Sequence, residues 1–98
     1  MTSGRRRTKI VCTLGPSSTP DVVRELVDSG MDAARLNFSH GTHEEHAGRA
    51  RVVRDVQADT GRPLALIADL QGPKIRLGEL AVPRTLERGE RVVVAGED

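Results

Sequence analysis

Arg35, Asn37 and Ser39 stand at alternate positions of one short run. In an extended strand their polar side chains share one side, while Leu36 and Phe38 face the other. Arg35 offers a planar, permanently charged fork that suits a phosphate or a carboxylate. Asn37 and Ser39 present oxygen ligands, and Asp69 closes a second, otherwise apolar run with another. Such ligands suit a hard cation such as K⁺ or Mg²⁺. Lys74 and Arg76 follow Asp69 within a few residues and add positive charge. Cation ligands beside a phosphate-binding fork are what phosphoryl transfer needs, because positioning and charge stabilisation carry most of that catalysis. Arg35 and Asp69 suit a plain ion pair between neighbouring strands equally well, and residue types alone leave both roles open.

Other reactive side chains carry weaker signals. His43 and His46 are three apart with Glu44 and Glu45 between them, whereas the zinc-protease pattern needs its histidines four apart. Cys12 has no second cysteine with which to build a structural zinc site. His40, His43 and His46 therefore read as the exposed entry to a helix, with the acidic pair favouring the helix dipole. Neither a P-loop nor a GxGxxG run is present, so nucleotide cradles of those types are absent. Cys12 lies in an apolar run and reads as an inert buried thiol. A lone cysteine makes no internal disulfide, which makes a reducing cytoplasm the default compartment.

These side chains need a scaffold, and the sequence predicts an alternation of strand and helix. Residues 9–14 form an apolar, β-branched run ending at Gly15-Pro16, expected as a buried strand. Thr19-Pro20 supplies an N-cap and a first-turn proline for a helix over 20–29, which Gly30 closes. Val22, Val23, Leu26 and Val27 share its apolar face. Residues 31–38 read as a second strand, turned by Ser39-His40-Gly41. Thr42 with Glu45 is a capping box for a second helix from about His43, with Ala47, Ala50, Val53 and Val56 expected inside and Gly61 and Pro63 at its end. Residues 64–70 are nearly all apolar and predict a third strand covered on both faces. Helices between successive strands imply a parallel sheet with right-handed crossovers. Chemistry in such folds gathers at the carboxyl ends of the strands, where Arg35, Asn37, Ser39 and Asp69 all fall. Beyond residue 73 the helical period disappears, and β-type runs at 75–80 and 91–95 suggest an all-β module that the chain leaves before it closes.

Composition narrows the field. The chain has 98 residues, enough for one domain or less. Its single aromatic, Phe38, excludes the stacking platforms used by single-strand nucleic-acid binders. Fifteen Lys and Arg against 14 Asp and Glu leave no basic excess of the kind a nucleic-acid domain carries. Arg5, Arg6 and Arg7 are the one compact basic run and read as a solvated, flexible N-terminal arm over residues 1–7. No run approaches the roughly 18 apolar residues of a membrane span.

Three ordered motifs resemble the pyruvate kinase family. Thr8-Lys9-Ile10-Val11-Cys12-Thr13-Leu14-Gly15-Pro16-Ser17-Ser18 is similar to that family's opening strand and loop. Arg35-Leu36-Asn37-Phe38-Ser39-His40-Gly41 resembles its second-strand motif. Asp69-Leu70-Gln71-Gly72-Pro73-Lys74-Ile75-Arg76-Leu77-Gly78 resembles its third-strand motif, where a β-rich lid domain is inserted into a TIM barrel. The resemblance implies an α/β fold: the first three strands and two helices of a (β/α)8 barrel over residues 8–73, then the start of the lid over 74–98. A whole barrel of this type takes about 250 residues.

The family moves a phosphoryl group from phosphoenolpyruvate to ADP, giving pyruvate and ATP in the cytoplasm, with Mg²⁺ and usually K⁺, as homo-oligomers that are usually tetramers. By resemblance Arg35 binds the substrate phosphate. Asn37, Ser39, Asp69 and the Leu70 carbonyl match its monovalent-cation ligands. Asn37, Phe38, Ser39, His40 and Arg76 match positions assigned to the nucleotide or the transferring phosphoryl group. The Mg²⁺ carboxylates, the enolate-stabilising lysine and the proton-transfer threonine are implied outside these residues, so the chain alone is expected to be inactive.

Potassium-dependent members have Glu in a Gly-Pro-Glu-Ile-Arg motif and Thr-Lys after the strand-three Asp. Here Lys74 stands for that Glu and Leu70-Gln71 for Thr-Lys. An ammonium near Asp69 can supply the charge that K⁺ would otherwise bring, so activity without K⁺ is expected. A competing expectation is a self-contained α/β domain that uses Arg35, Lys74 and Arg76 to hold an anionic ligand or a protein partner. A nucleic-acid binder working through the basic arm is a third, disfavoured by the balanced charge.

Overall fold

A computed structural model describes residues 6–96. Five elements follow in the order β1 (Val11–Leu14), α1 (Pro20–Ser29), β2 (Ala33–Asn37), α2 (His43–Thr60) and β3 (Ala65–Asp69). The strands form one parallel sheet in the order β1-β2-β3, each pair joined through a helix. Thr13 lies opposite Arg35, Arg35 opposite Ile67, and Asn37 opposite Asp69. The expected strands over 9–14, 31–38 and 64–70 all form but are trimmed at their ends.

Each helix starts where a side chain satisfies its first free amides. The Thr19 hydroxyl accepts from the Val22 amide, Pro20 needs no such partner, and Gly30 ends α1 in the left-handed conformation. On α2 the Thr42 hydroxyl accepts from the Glu45 amide at 3.2 Å, and the Glu45 carboxylate accepts from the Thr42 amide at 2.9 Å. The core lies between the two helices and one face of the sheet: Leu14, Val23, Val27, Met31, Ala34, Leu36, Val53, Val56 and Leu64.

Several expectations need correction. Val22 sits at the margin of the α1 face and is partly exposed. Ala47 is exposed, and His46 takes the buried place one residue earlier, because a 3.6-residue period drifts from strict threes. β3 is not covered on both faces: Ile67 is 39% exposed and Leu66 alone in the strand is partly buried against the core. It is an edge strand, and no described element packs on the sheet face away from the helices. β1 is the other edge, so Val11 is exposed and only Leu14 is fully buried. Cys12 packs against the core but remains half-buried rather than enclosed.

Beyond Asp69 no described residue belongs to a helix or a strand. The runs at 75–80 and 91–95 do not pair with each other, and Ile75, Leu77, Val93 and Val94 are exposed. Two short β runs without a covered face are marginal in water, which accounts for the missing pairing.

At the other end, the expected flexible arm falls mostly outside the described residues, since residues 1–5 are not among them. Arg6 is exposed yet engaged: its guanidinium donates to the Gly30 carbonyl and to Asp32. The Asp32 carboxylate also accepts from the Ile10 amide at 2.8 Å. That amide, followed by the charges of Arg6 and Lys9, holds the Asp32 carboxyl below its ordinary range. A carboxyl depressed in the folded state contributes stability above its unfolded pKa and loses it as pH falls through the folded value. The protection factor of the Ile10 amide, its exchange rate relative to an unstructured peptide at the same pH, is therefore expected to fall on acidification below the ordinary carboxylate range. In Asp32→Ala the same amide should show low protection at every pH; a pH-independent protection factor at Ile10 in the unaltered chain would contradict this.

Candidate functional site

Arg35 lies on the sheet face that the helices leave open, one-third exposed. Its Nε donates to Asp69 Oδ2 at 2.9 Å, a terminal nitrogen reaches the same oxygen, and Nη1 donates to Thr13 Oγ1 at 3.1 Å. The ion pair between neighbouring strands thus exists. Asp69 is about half exposed, and a guanidinium has five N–H donors, so this pairing leaves donors for an anion.

Asn37 stands beside Asp69 in the sheet register, and its Oδ1 accepts from the Ser39 amide at 3.1 Å. The Phe38 amide donates to the Asp69 carbonyl at 3.0 Å, which ties the end of β2 to the end of β3. Lys74 donates its ammonium to Ser39 Oγ. The sequence reading placed that ammonium near Asp69; the contact formed is with Ser39, two residues beyond Asn37.

The structure therefore brings Arg35, Asn37, Ser39, Asp69 and Lys74 to the carboxyl end of the sheet. No described hydrogen bond joins the side chains of the other expected residues to this group. Leu70 is 72% exposed, and Arg76 is exposed with no ion pair among the described residues. Phe38 turns to the helix side and packs, partly buried, against the core and the His46 ring. The His40 side chain is exposed, while its amide donates to the Asn37 carbonyl at 3.2 Å.

Two residues were missed. Thr13 was legible, because period two places the polar residue of an apolar strand on the Arg35 face. His46, read as part of an exposed helix entry, is buried. A groove of about 430 Å³ runs along this end of the sheet, lined by Thr13, Pro16, Asn37, His40, His46 and Arg49 among others.

Gly41 makes the turn above the groove possible. Its φ of +78° is left-handed, and a Cβ there would stand 2.8 Å from Glu45 Oε2. Gly41→Ala is expected to cost about 1–2 kcal/mol from backbone strain and displacement of the Glu45 carboxylate. Denaturant unfolding against the unaltered protein checks this, and an unchanged midpoint would contradict it.

A family model described as pyruvate kinase, barrel domain, matches residues 5–98. A pyruvate kinase of Corynebacterium glutamicum is 50% identical over 95 residues, covering 95% of this chain and 20% of that protein. The pyruvate kinase of Corynebacterium efficiens is 52% identical over 95 residues, with the same coverage of 95% and 20%. That of Mycobacterium tuberculosis is 56% identical over 77 residues, 78% of this chain and 16% of that protein. The chain spans about a fifth of the length of the first two. With its three parallel strands, two helices and near-complete match to the barrel-domain model, the chain belongs to the pyruvate kinase family.

Proposed function

We propose that this chain forms one wall of a pyruvate kinase active site, in which phosphoenolpyruvate, ADP and a proton become pyruvate and ATP. The observation that carries the reading is the Arg35 guanidinium, held by Asp69 and Thr13 where the parallel strands end, with Asn37, Ser39 and Lys74 beside it. Arg35 takes the substrate phosphate on its remaining N–H donors. Asn37 to His40 and Arg76 serve the nucleotide and the transferring group, with Phe38 acting through its main chain.

Asn37 and Asp69 are register partners at the end of the sheet, Ser39 follows in the turn, and the Lys74 ammonium donates to Ser39. The set fits a monovalent cation, with the Leu70 carbonyl completing it, and Lys74 makes that cation dispensable. Mg²⁺ neutralises phosphate charge in this chemistry. Among the described residues no three His, Cys, Asp or Glu side chains gather as a metal site; in the proposed reading the Mg²⁺ ligands lie in other parts of the barrel. The complete fold is an eight-stranded barrel, with residues 8–73 as its opening and 74–98 as the start of the β-rich lid. Assembly into homo-oligomers and a cytoplasmic, glycolytic setting complete the reading. Among the described residues no helix is long and apolar enough to cross a membrane.

A segment exchange tests the proposal. The matching 95 residues of the Corynebacterium glutamicum enzyme are replaced by those of this chain. The hybrid should form pyruvate from phosphoenolpyruvate and ADP in an assay coupled to lactate dehydrogenase. A hybrid that assembles and melts like its parent but forms no pyruvate would overturn the reading.

A further inference from the structure

We propose that His46 is a positioning residue that holds the turn carrying Asn37 and Ser39 from behind; the part of this that concerns catalysis rests on the function proposed above. His46 lies in the first turns of α2 and is 3% exposed. Its Nε2 stands 2.6 Å from the His40 carbonyl oxygen. A carbonyl only accepts, so Nε2 is the donor in this contact. The ring also stacks on Phe38, with centroids 4.4 Å apart and planes 25° from parallel.

Phe38 and His40 bracket Ser39, and Phe38 directly follows Asn37. One imidazole thus grips the turn on both sides of Ser39, from the helix side. On the opposite side, Asn37 lies beside Asp69 in register and Ser39 receives Lys74. Gly41 lets the chain pass close to this ring: a Cβ there would stand 3.2 Å from His46 Nε2. The capping box of Thr42 and Glu45 fixes the start of α2, and so the place from which His46 reaches back.

The other ring nitrogen shows why this is more than core filling. Nδ1 is buried and has no hydrogen-bond partner among the described residues. An unpaired buried nitrogen is unfavourable, and an apolar side chain of similar size would avoid it. What histidine adds over such a residue is the Nε2–H bond to the His40 carbonyl.

Two substitutions separate the contributions. His46→Phe keeps a stacking ring and loses the donor; His46→Gln loses the ring but keeps an N–H that can reach the carbonyl. Hydrogen exchange on the full chain should show the Ser39 and His40 amides protected. His46→Phe should speed exchange at those two amides by about tenfold, the scale of one net hydrogen bond, and leave the amides of Ala34 to Leu36 unchanged. His46→Gln should stay close to the unaltered chain. A core-filling role predicts the reverse order, with Phe the better replacement. The inference is overturned if Phe protects as well as His, if Gln exchanges as fast as Phe, or if the two amides are unprotected in the unaltered chain. Should His46→Phe unfold the chain, His46→Gln alone decides: protection of both amides close to that of the unaltered chain supports the inference, and a loss of about tenfold overturns it. In the hybrid enzyme, kcat should fall with Phe and recover with Gln. A hybrid that is inactive before any substitution counts against the proposed function, and the exchange measurement still decides the role of His46.

Discussion

Arg35→Gln in the hybrid enzyme is expected to lower kcat/KM for phosphoenolpyruvate by about 10²–10³-fold, the scale of removing one preorganised donor group from a site of charge development. Glutamine keeps two N–H donors but loses the permanent charge and the fork. Three nitrogens of that fork are already oriented by Asp69 Oδ2 and Thr13 Oγ1, so an arriving phosphate meets a guanidinium whose plane is set. Arg35→Lys should recover little, because a point charge on a flexible stem cannot span a carboxylate and a hydroxyl while also facing a phosphate. Stability should barely move. Both side chains are substantially exposed, at 33% and 49%, and such pairs contribute at most about 1 kcal/mol. Steady-state kinetics and thermal unfolding on the same preparation check the two halves together. A variant that loses activity only as it loses its fold would contradict the assignment.

The second large effect concerns Lys74. The hybrid should turn over in a buffer whose only monovalent cation is tetramethylammonium, because the Lys74 ammonium already lies on Ser39 Oγ. Lys74→Glu reverses the sign of that charge beside Asn37, Ser39 and Asp69. Activity without K⁺ should then fall by about 10²-fold, consistent with losing one charge-assisted contact and gaining a repulsive one, and added K⁺ should restore it. Collapse of the unaltered hybrid when K⁺ is withdrawn would contradict the role given to Lys74. The ammonium expected near Asp69 makes its hydrogen bond to Ser39, two residues beyond the register partner of Asp69.

How far the sequence could be read depended on whether the deciding interaction was local. The helix over Pro20–Ser29 was legible to the residue, because Thr19-Pro20 and Gly30 set its ends through contacts within one turn. The capping box of Thr42 and Glu45 was legible for the same reason. The shared face of Arg35 and Asn37 followed from strand alternation, as their positions in the register show. Thr13 obeyed the same rule and was overlooked only because its neighbours are apolar.

His46 was out of reach because what makes it a core residue is the Phe38 ring and the His40 carbonyl, brought to it by the turn between β2 and α2. A sequence window sees a polar residue in an acidic first turn and places it in water. β3 failed for the opposite reason: its residues are apolar enough for full burial, but no described element lies over its second face. The runs at 75–80 and 91–95 carry β-type residues, yet pairing also needs an aligned neighbour, and propensity alone does not supply one.

In the proposed site Arg35 receives the phosphate of phosphoenolpyruvate at the carboxyl end of this sheet. Calorimetric titration of phosphoenolpyruvate and of ADP into the hybrid, with Arg35 intact and as Arg35→Gln, tests it most directly. The expected result is a loss of about 10- to 100-fold in phosphoenolpyruvate affinity, the scale of a hydrogen bond to a charged group, with ADP affinity unchanged. Equal affinity for phosphoenolpyruvate in the two proteins would contradict the assignment.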